Sequence, residues 1–167
     1  MRMDLYWIDG PWQGKLAIAP RPRGADWLKD DIAGWLRAGL NPAVSLLTPE
    51  EEKHLDLRDE ARAVLGLGVR FISFPIPDRE VPSSQTELAA LLDKIDHDLT
   101  AGRNVILHCR AGIGRSGLVA ACLLVMKGVS PEEAVKKVSA ARGVSVPETK
   151  EQRNWIDQYA ATLAAAK

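Results

Sequence analysis

Helical stretches alternate with short β-like runs along all 167 residues, which predicts an α/β fold: a central, mostly parallel sheet flanked by helices on both faces. Two further observations support it. The apolar, β-branched run ending at His108 reads as a buried strand, and the Leu118–Met126 run is long enough for a buried helix, so the glycine-bearing segment between them joins a strand end to a helix start. In sheets of this kind ligands bind beyond the carboxyl ends of the strands, where that segment falls.

The elements follow in chain order. Leu5–Ile8 and Lys15–Ala19, separated by Gly10-Pro11, form an expected strand pair. Ala25–Ala38 is expected helical up to Gly39, and Val44–Leu47 is a short buried strand. Thr48-Pro49-Glu50-Glu51 starts a helix, with Thr48 as cap, Pro49 at the first position and Glu51 closing a capping box; it is expected to run to about Leu65, before Gly66. Arg70–Phe74 is the next strand, Ser83 or Ser84 caps a helix ending near Gly102, and Asn104–His108 is the strand before the loop. Ser130-Pro131-Glu132-Glu133 repeats the cap signature ahead of a helix to about Arg142. Pro147 and Glu148 read as the first turn of a last helix to Ala165, with Ser145 or Val146 near its cap.

The chemistry concentrates in His108-Cys109-Arg110-Ala111-Gly112-Ile113-Gly114-Arg115-Ser116. N–H groups in the first turn of a helix lack intrahelical partners, and with the positive end of the helix dipole they form an anion site. Gly112 and Gly114 let the loop curl until successive N–H groups converge. Arg115 adds a planar, permanently charged fork that pairs with two phosphate oxygens at once. A free thiol near pKa ~8.5 is mostly protonated at neutral pH, but such surroundings bring a cysteine to roughly 3.5–7.5, so Cys109 is expected to be a thiolate. Ser116 is placed to donate a hydrogen bond to the sulfur as it leaves, and His108 to orient the loop. A core cysteine beside a surface arginine leaves the glycines, the histidine and the strand-to-helix position without explanation.

His-Cys-x5-Arg-Ser, here His108, Cys109, Arg115 and Ser116, resembles the signature of the cysteine-dependent protein tyrosine phosphatase superfamily. The short chain, with the signature in its last third, is similar to the compact dual-specificity branch. The resemblance implies a phosphatase P-loop between a central strand and a helix, in which Cys109 attacks phosphorus while Arg115 and residues 108–115 (His108, Arg110, Ala111, Gly112, Ile113 and Gly114 with Arg115) hold the phosphate. A thiol attacking a phosphoester needs a general acid for the departing oxygen. In the family an aspartate on a mobile loop some thirty residues before the cysteine fills that role, which carries over to Asp78 in Phe74-Pro75-Ile76-Pro77-Asp78-Arg79-Glu80, with Glu80 as the fallback. A family glutamine that positions the hydrolytic water matches Gln152, in a supporting role; the alternative is a solvated residue on the last helix. Lipid-directed members often carry lysines at the positions of Arg110 and Ile113, so Ile113 favours a phosphorylated protein as substrate: phosphotyrosine, with phosphoserine and phosphothreonine as extensions. The alternatives are a phosphoinositide or other small phosphomonoester, a phosphopeptide-binding module, and a rhodanese-like sulfurtransferase.

Composition fits one domain spanning residues 1–167. Twenty-two basic residues balance twenty-two acidic ones, so nothing global points to nucleic acid or a charged membrane surface. Arg79 and Arg110 are the expected pocket-rim cations, whereas Arg21, Arg23, Arg142, Lys150 and Arg153 read as surface charges. Trp155, Ile156 and Tyr159 have the spacing of helix packing. Cys122, about two turns beyond Arg115, reads as core, roughly 10 Å along the axis from the loop. The two cysteines suggest no disulfide scaffold, and a reactive thiol needs a reducing compartment. Met1–Asp9 lacks the apolar core of a signal peptide, and Leu118–Met126 is too short to span a bilayer. A cytoplasmic enzyme with no metal, no cofactor and no stable membrane association is expected, with the oligomeric state open. His54 and His97 are expected on the surface.

Overall fold

The computed structural model describes residues 4–166, so Met1–Met3 of the N-terminal reading, and Lys167, lie outside the described residues. Five strands form one sheet: β1 (Tyr6–Ile8), β2 (Leu16–Ala19), β3 (Leu40–Ser45), β4 (Phe71–Ser73) and β5 (Asn104–His108), in the order β1-β2-β5-β3-β4. β1 pairs with β2 antiparallel as a hairpin; every other pairing is parallel, with β5 at the centre. The expected α/β architecture is therefore the observed one.

Strand alternation divides the core. Leu16, Ile18, Val44, Val105 and Leu107 face one side, covered by α4 (Gln85–Thr100), α5 (Gly114–Met126), α6 (Pro131–Arg142) and α7 (Lys150–Ala165). Ala17, Ala19, Ala43 and Ile106 face the other, where α1 (Leu28–Arg37) and α3 (Glu60–Gly66) contribute Leu28, Ile32, Trp35 and Val64. By the same alternation His108 belongs with Ile106 on the α1/α3 side. α5 runs through the densest packing: every residue from Gly114 to Val125 is buried, Cys122 among them, and burial pushes the Cys122 thiol up. Trp155, Ile156 and Tyr159 are buried in the same cluster, while His54 and His97 are exposed.

Four boundaries differ from expectation. β3 begins at Leu40, because Pro42 is tolerated at a register irregularity between Leu40 and Ala43 although it has no N–H for a ladder. The long helix expected from Thr48 to Leu65 is two: the Thr48 capping box starts α2 (Pro49–His54), then Asp56 turns left-handed at φ 56° and Leu57 drops into the core before α3 begins. Ala25–Trp27 is a 3₁₀ turn ahead of α1. α7 starts at Lys150, because Thr149 and Gln152 form a capping box, so Pro147 and Glu148 precede the helix. Among the described residues no helix is long and apolar enough to cross a membrane.

Leu92→Ala, at a fully buried α4 position, is expected to lower unfolding free energy by about 2–5 kcal/mol, measured by urea denaturation, with the far-UV spectrum of the native state unchanged.

Candidate active site

β5 ends at His108 and α5 begins at Gly114, so Cys109–Ile113 is the loop between them. Its four leading carbonyls are tied from three directions. The Cys109 oxygen lies 3.4 Å from His108 Nδ1, the Arg110 oxygen accepts from the Arg21 amide at 3.2 Å, and the Ala111 and Gly112 oxygens accept from the Arg142 guanidinium at 3.1 and 3.0 Å. A trans peptide is planar, with its N–H opposite its C=O. The N–H groups of Arg110, Ala111, Gly112 and Ile113 therefore turn to the enclosed side of the loop, and among the described residues none of them donates to a protein acceptor. Gly112, at φ 71°, makes the curl possible: a Cβ there would stand 2.6 Å from the Ala19 carbonyl carbon.

Arg115 lies in the first turn of α5 and is 2% exposed. Its Nη1 and Nη2 donate to the two carboxylate oxygens of Glu51 at 2.6 and 2.8 Å, a bidentate pair, and Nη1 also donates to the Ile76 oxygen at 2.7 Å. Nη2 reaches Asp78 Oδ1 at 3.2 Å, while among the described residues Nε–H meets no acceptor. Burial opposes the guanidinium's charge, but the hydrogen bonds it donates to Glu51 and the neighbouring Cys109, Glu51 and Asp78 charges more than offset it, and the Arg115 pKa is raised. Burial likewise pushes the Glu51 carboxyl up, but Arg115 and the Thr48 amide outweigh it and hold Glu51 below the usual carboxylate range.

The proline-rich segment brings Asp78, half-exposed, to Arg115 and leaves the Glu80 side chain away from it; Glu80 enters through its carbonyl, which accepts from Gln152 Nε2 at 3.0 Å. Gln152 is fully buried, so it is not a solvated helix residue. Its Oε1 accepts from the Glu148 and Thr149 amides at 3.0 and 3.1 Å, and it packs under Gly114. Every polar atom of its side chain is engaged with backbone. Ser116 is buried, and among the described residues its hydroxyl has no hydrogen-bond partner, the Cys109 sulfur included. Arg79, expected as a free rim cation, pairs with Glu148 at 3.2 Å and so fastens the Asp78 segment to the approach to α7. Arg110 is exposed.

Three residues escaped the reading of the sequence. Arg142, taken for a surface charge, grips the loop from α6 and lies over the Tyr6 ring, 4.2 Å from its centroid. Glu51 announced itself as a helix cap and also holds Arg115. Glu60, expected inside a helix, is buried against His108. Their only local signals were cap and turn signatures. Among the described residues no group of three or more His, Cys, Asp or Glu is placed to hold a metal.

A thiol loop closing onto a buried arginine at a helix start, beyond the carboxyl ends of parallel strands, is the site of the cysteine-dependent protein tyrosine phosphatase superfamily in its compact dual-specificity-like branch. Within it the chain belongs to the family described as Tc-R-P, polymorphic toxin system, DSP-PTPase phosphatase, whose model matches residues 19–129. Cyclin-dependent kinase inhibitor 3 of Sus scrofa is 34% identical over 93 residues, covering 54% of this chain and 43% of that protein. The chain spans less than half the length of the curated relatives it matches. Among solved structures, Tk-PTP in its active form superposes with a TM-score of 0.79 at 27% identity, covering 96% of this chain and 99% of that one. Kinase associated phosphatase, with its catalytic-site cysteine changed to serine, superposes with a TM-score of 0.91 at 22% identity over 99% and 98%, a likeness of fold.

The Glu51–Arg115 pair has a pH signature. Because the folded Glu51 pKa is lowered, its contribution to stability is complete above the ordinary carboxylate value of ~4.3 and is lost as pH falls through the folded value. Glu51→Gln is expected to cost roughly 1.5–3 kcal/mol near pH 7, with the gap to wild type closing as denaturation is repeated at progressively more acid pH. Arg142→Ala frees two loop carbonyls; tungstate binding followed by calorimetry is expected to weaken about tenfold or more, and an unchanged affinity would remove Arg142 from the cradle.

Proposed function

We propose that this chain is a phosphomonoesterase that hydrolyses phosphorylated protein, phosphotyrosine first, through a cysteinyl-phosphate intermediate. The observation that carries the reading is the loop itself: four N–H groups turned inward by outward-tied carbonyls, next to a thiol and a guanidinium already neutralised on its far side.

The geometry supports a part for each group. Phosphate oxygens meet the amides of Arg110–Ile113 and the Arg115 edge formed by Nε–H and the Nη2–H now shared with Asp78. Glu51 fixes the other edge, so the fork is oriented before substrate arrives. The Cys109 thiolate attacks phosphorus and forms the S–P bond as the P–O bond to the substrate breaks. Asp78, displaced from Arg115 by the incoming phosphate, takes up a proton from solvent beside the phosphate's negative charge and gives it to the leaving oxygen. As a carboxylate it then takes a proton from water, which attacks phosphorus and expels the thiolate. The Ser116 hydroxyl, without another partner among the described residues, is free to turn to that sulfur.

Gln152 acts as a fastener of the Asp78 segment through the Glu80 carbonyl. Ile113 and the even charge balance support a protein substrate over a phosphoinositide, and the exposed Arg110 supports an acidic stretch beside the phosphate. The thiol chemistry supports work in a reducing compartment such as the cytoplasm.

The test is phosphate release from a phosphotyrosine peptide and from p-nitrophenyl phosphate, with reductant and without added metal. Cys109→Ser is expected to abolish release from both. Asp78→Ala is expected to cut kcat on the peptide by about 10²–10⁴ and to cut it less on p-nitrophenyl phosphate, whose leaving group needs no proton. A wild-type chain inactive on both compounds, yet active on a phosphoinositide, would overturn the protein-substrate reading.

A further inference from the structure

Once phosphate takes the Arg115 edge, the Asp78 carboxyl depends on its own backbone for its place. It stands in a turn closed by the Glu80 amide, which donates to the Pro77 carbonyl at 3.0 Å. The leg before it is anchored to the sheet and to the site: the Ile76 amide donates to the Leu46 carbonyl at 3.0 Å, and the Ile76 carbonyl accepts from Arg115 Nη1 at 2.7 Å. The leg after it makes its polar contacts with a different element. Arg79 Nη1 lies 3.2 Å from Glu148 Oε1, and the Glu80 carbonyl accepts from Gln152 Nε2 at 3.0 Å.

Arg79 has φ 65° at the third position of that turn, where left-handed backbone usually calls for glycine or asparagine. Turn preference therefore does not account for an arginine, and neither does packing, since its side chain is 62% exposed. What the side chain does is pair with Glu148. Glu148 is in turn seated on the start of the loop helix: a Cβ on Gly114 would stand 3.1 Å from Glu148 Cβ, and the Glu148 amide donates to Gln152 Oε1 at 3.0 Å. Gly114 precedes Arg115 in the first turn of α5. Glu148 thus meets the frame of the thiol loop with its Cβ and the turn of the acid with its carboxylate.

Resting on the phosphatase reading, we propose that Arg79 and Glu148 are a positioning pair for the general acid: Glu148, seated against Gly114, holds the residue after Asp78 and so sets the distance of the Asp78 carboxyl from the phosphate loop. The pair transfers neither proton nor phosphorus. It acts through Asp78, so its loss is felt where the leaving oxygen needs a proton and not where it does not. Exposed ion pairs are weak, and the share of this one in the rate is correspondingly modest. The same exposure makes it sensitive to salt, which screens charges at the surface.

The test is kcat/KM of the full chain on phenyl phosphate and on p-nitrophenyl phosphate, which carry the same phosphate on leaving groups that do and do not need a proton. The ratio of the two values isolates acid assistance and does not depend on how much of a variant is folded. Arg79→Ala, and Glu148→Ala, which keeps the Cβ against Gly114, are each expected to lower the ratio of phenyl phosphate to p-nitrophenyl phosphate about two- to fivefold. The double variant is expected to fall no further than either single one, and Arg79→Lys to keep the wild-type ratio. Raising salt from about 0.01 M to about 1 M is expected to bring the wild-type ratio down toward that of Arg79→Ala and to leave the Arg79→Ala ratio where it is. Unchanged ratios in both single variants, losses that add in the double variant, or a wild-type ratio indifferent to salt would each overturn the proposal while the phosphatase reading stands. A wild type that releases phosphate from neither compound overturns that reading, and the pairing role with it.

Discussion

A guanidinium that never loses its charge is buried at the centre of this molecule, and much of the surrounding structure answers to it. Arg115 sits in the first turn of the most deeply packed helix, where an unpaired charge would be prohibitively costly. Glu51 supplies the counter-charge from α2, and the Ile76 carbonyl supplies a further acceptor. α2 must therefore end its approach at the carboxyl edge of β3, and the proline-rich segment must pass within reach of the same side chain. The Thr48 capping box is part of this arrangement: it sets where α2 begins and, through Glu51, which way the carboxylate faces.

The rest of the site is a loop whose carbonyls are anchored by its neighbours. Each anchor comes from a different part of the chain: the strand end beneath the loop, the segment after β2, and the end of α6. Arg142 braces two peptides at once and is itself steadied on Tyr6, so β1, at one edge of the sheet, contributes to the loop without touching it. The proposed anion site is thus a property of the assembled fold. The loop sequence permits the curl, but the outward pull on its carbonyls comes from elsewhere.

This division explains what could be read from the sequence. β5, the loop and α5 were legible because strand, glycine and helix signals lie within one continuous segment, and the chemistry of Cys109 and Arg115 follows from their placement on it. Helix starts at Thr48, Ser84 and Ser130 were legible for the same reason. The break between α2 and α3 was not, since it turns on one left-handed Asp56 and on the pull of Leu57 into the core. Pro42 hid the start of β3, because a proline argues against a central strand unless a register irregularity absorbs it. Glu51, Glu60 and Arg142 act across 64, 48 and about 30 residues, and no local pattern distinguishes them from caps and surface charges.

The Asp78 segment shows how the fold couples two halves of the proposed reaction. It is held at three points: Asp78 on Arg115, Arg79 on Glu148, and the Glu80 carbonyl on Gln152. The last two lead to the start of α7, where Gln152 also serves the capping box and packs under Gly114, the first residue of α5. A phosphate entering the loop competes with Asp78 for one Nη2–H of Arg115 and leaves the other two tethers intact. The acid is therefore freed from the guanidinium without its segment being released, and its displacement is limited to what a side chain can reach. In the proposed mechanism that constraint would keep Asp78 beside the leaving oxygen when phosphorus is attacked and beside the incoming water when the thiophosphate is cleaved, so that one carboxyl group would serve both steps from one place.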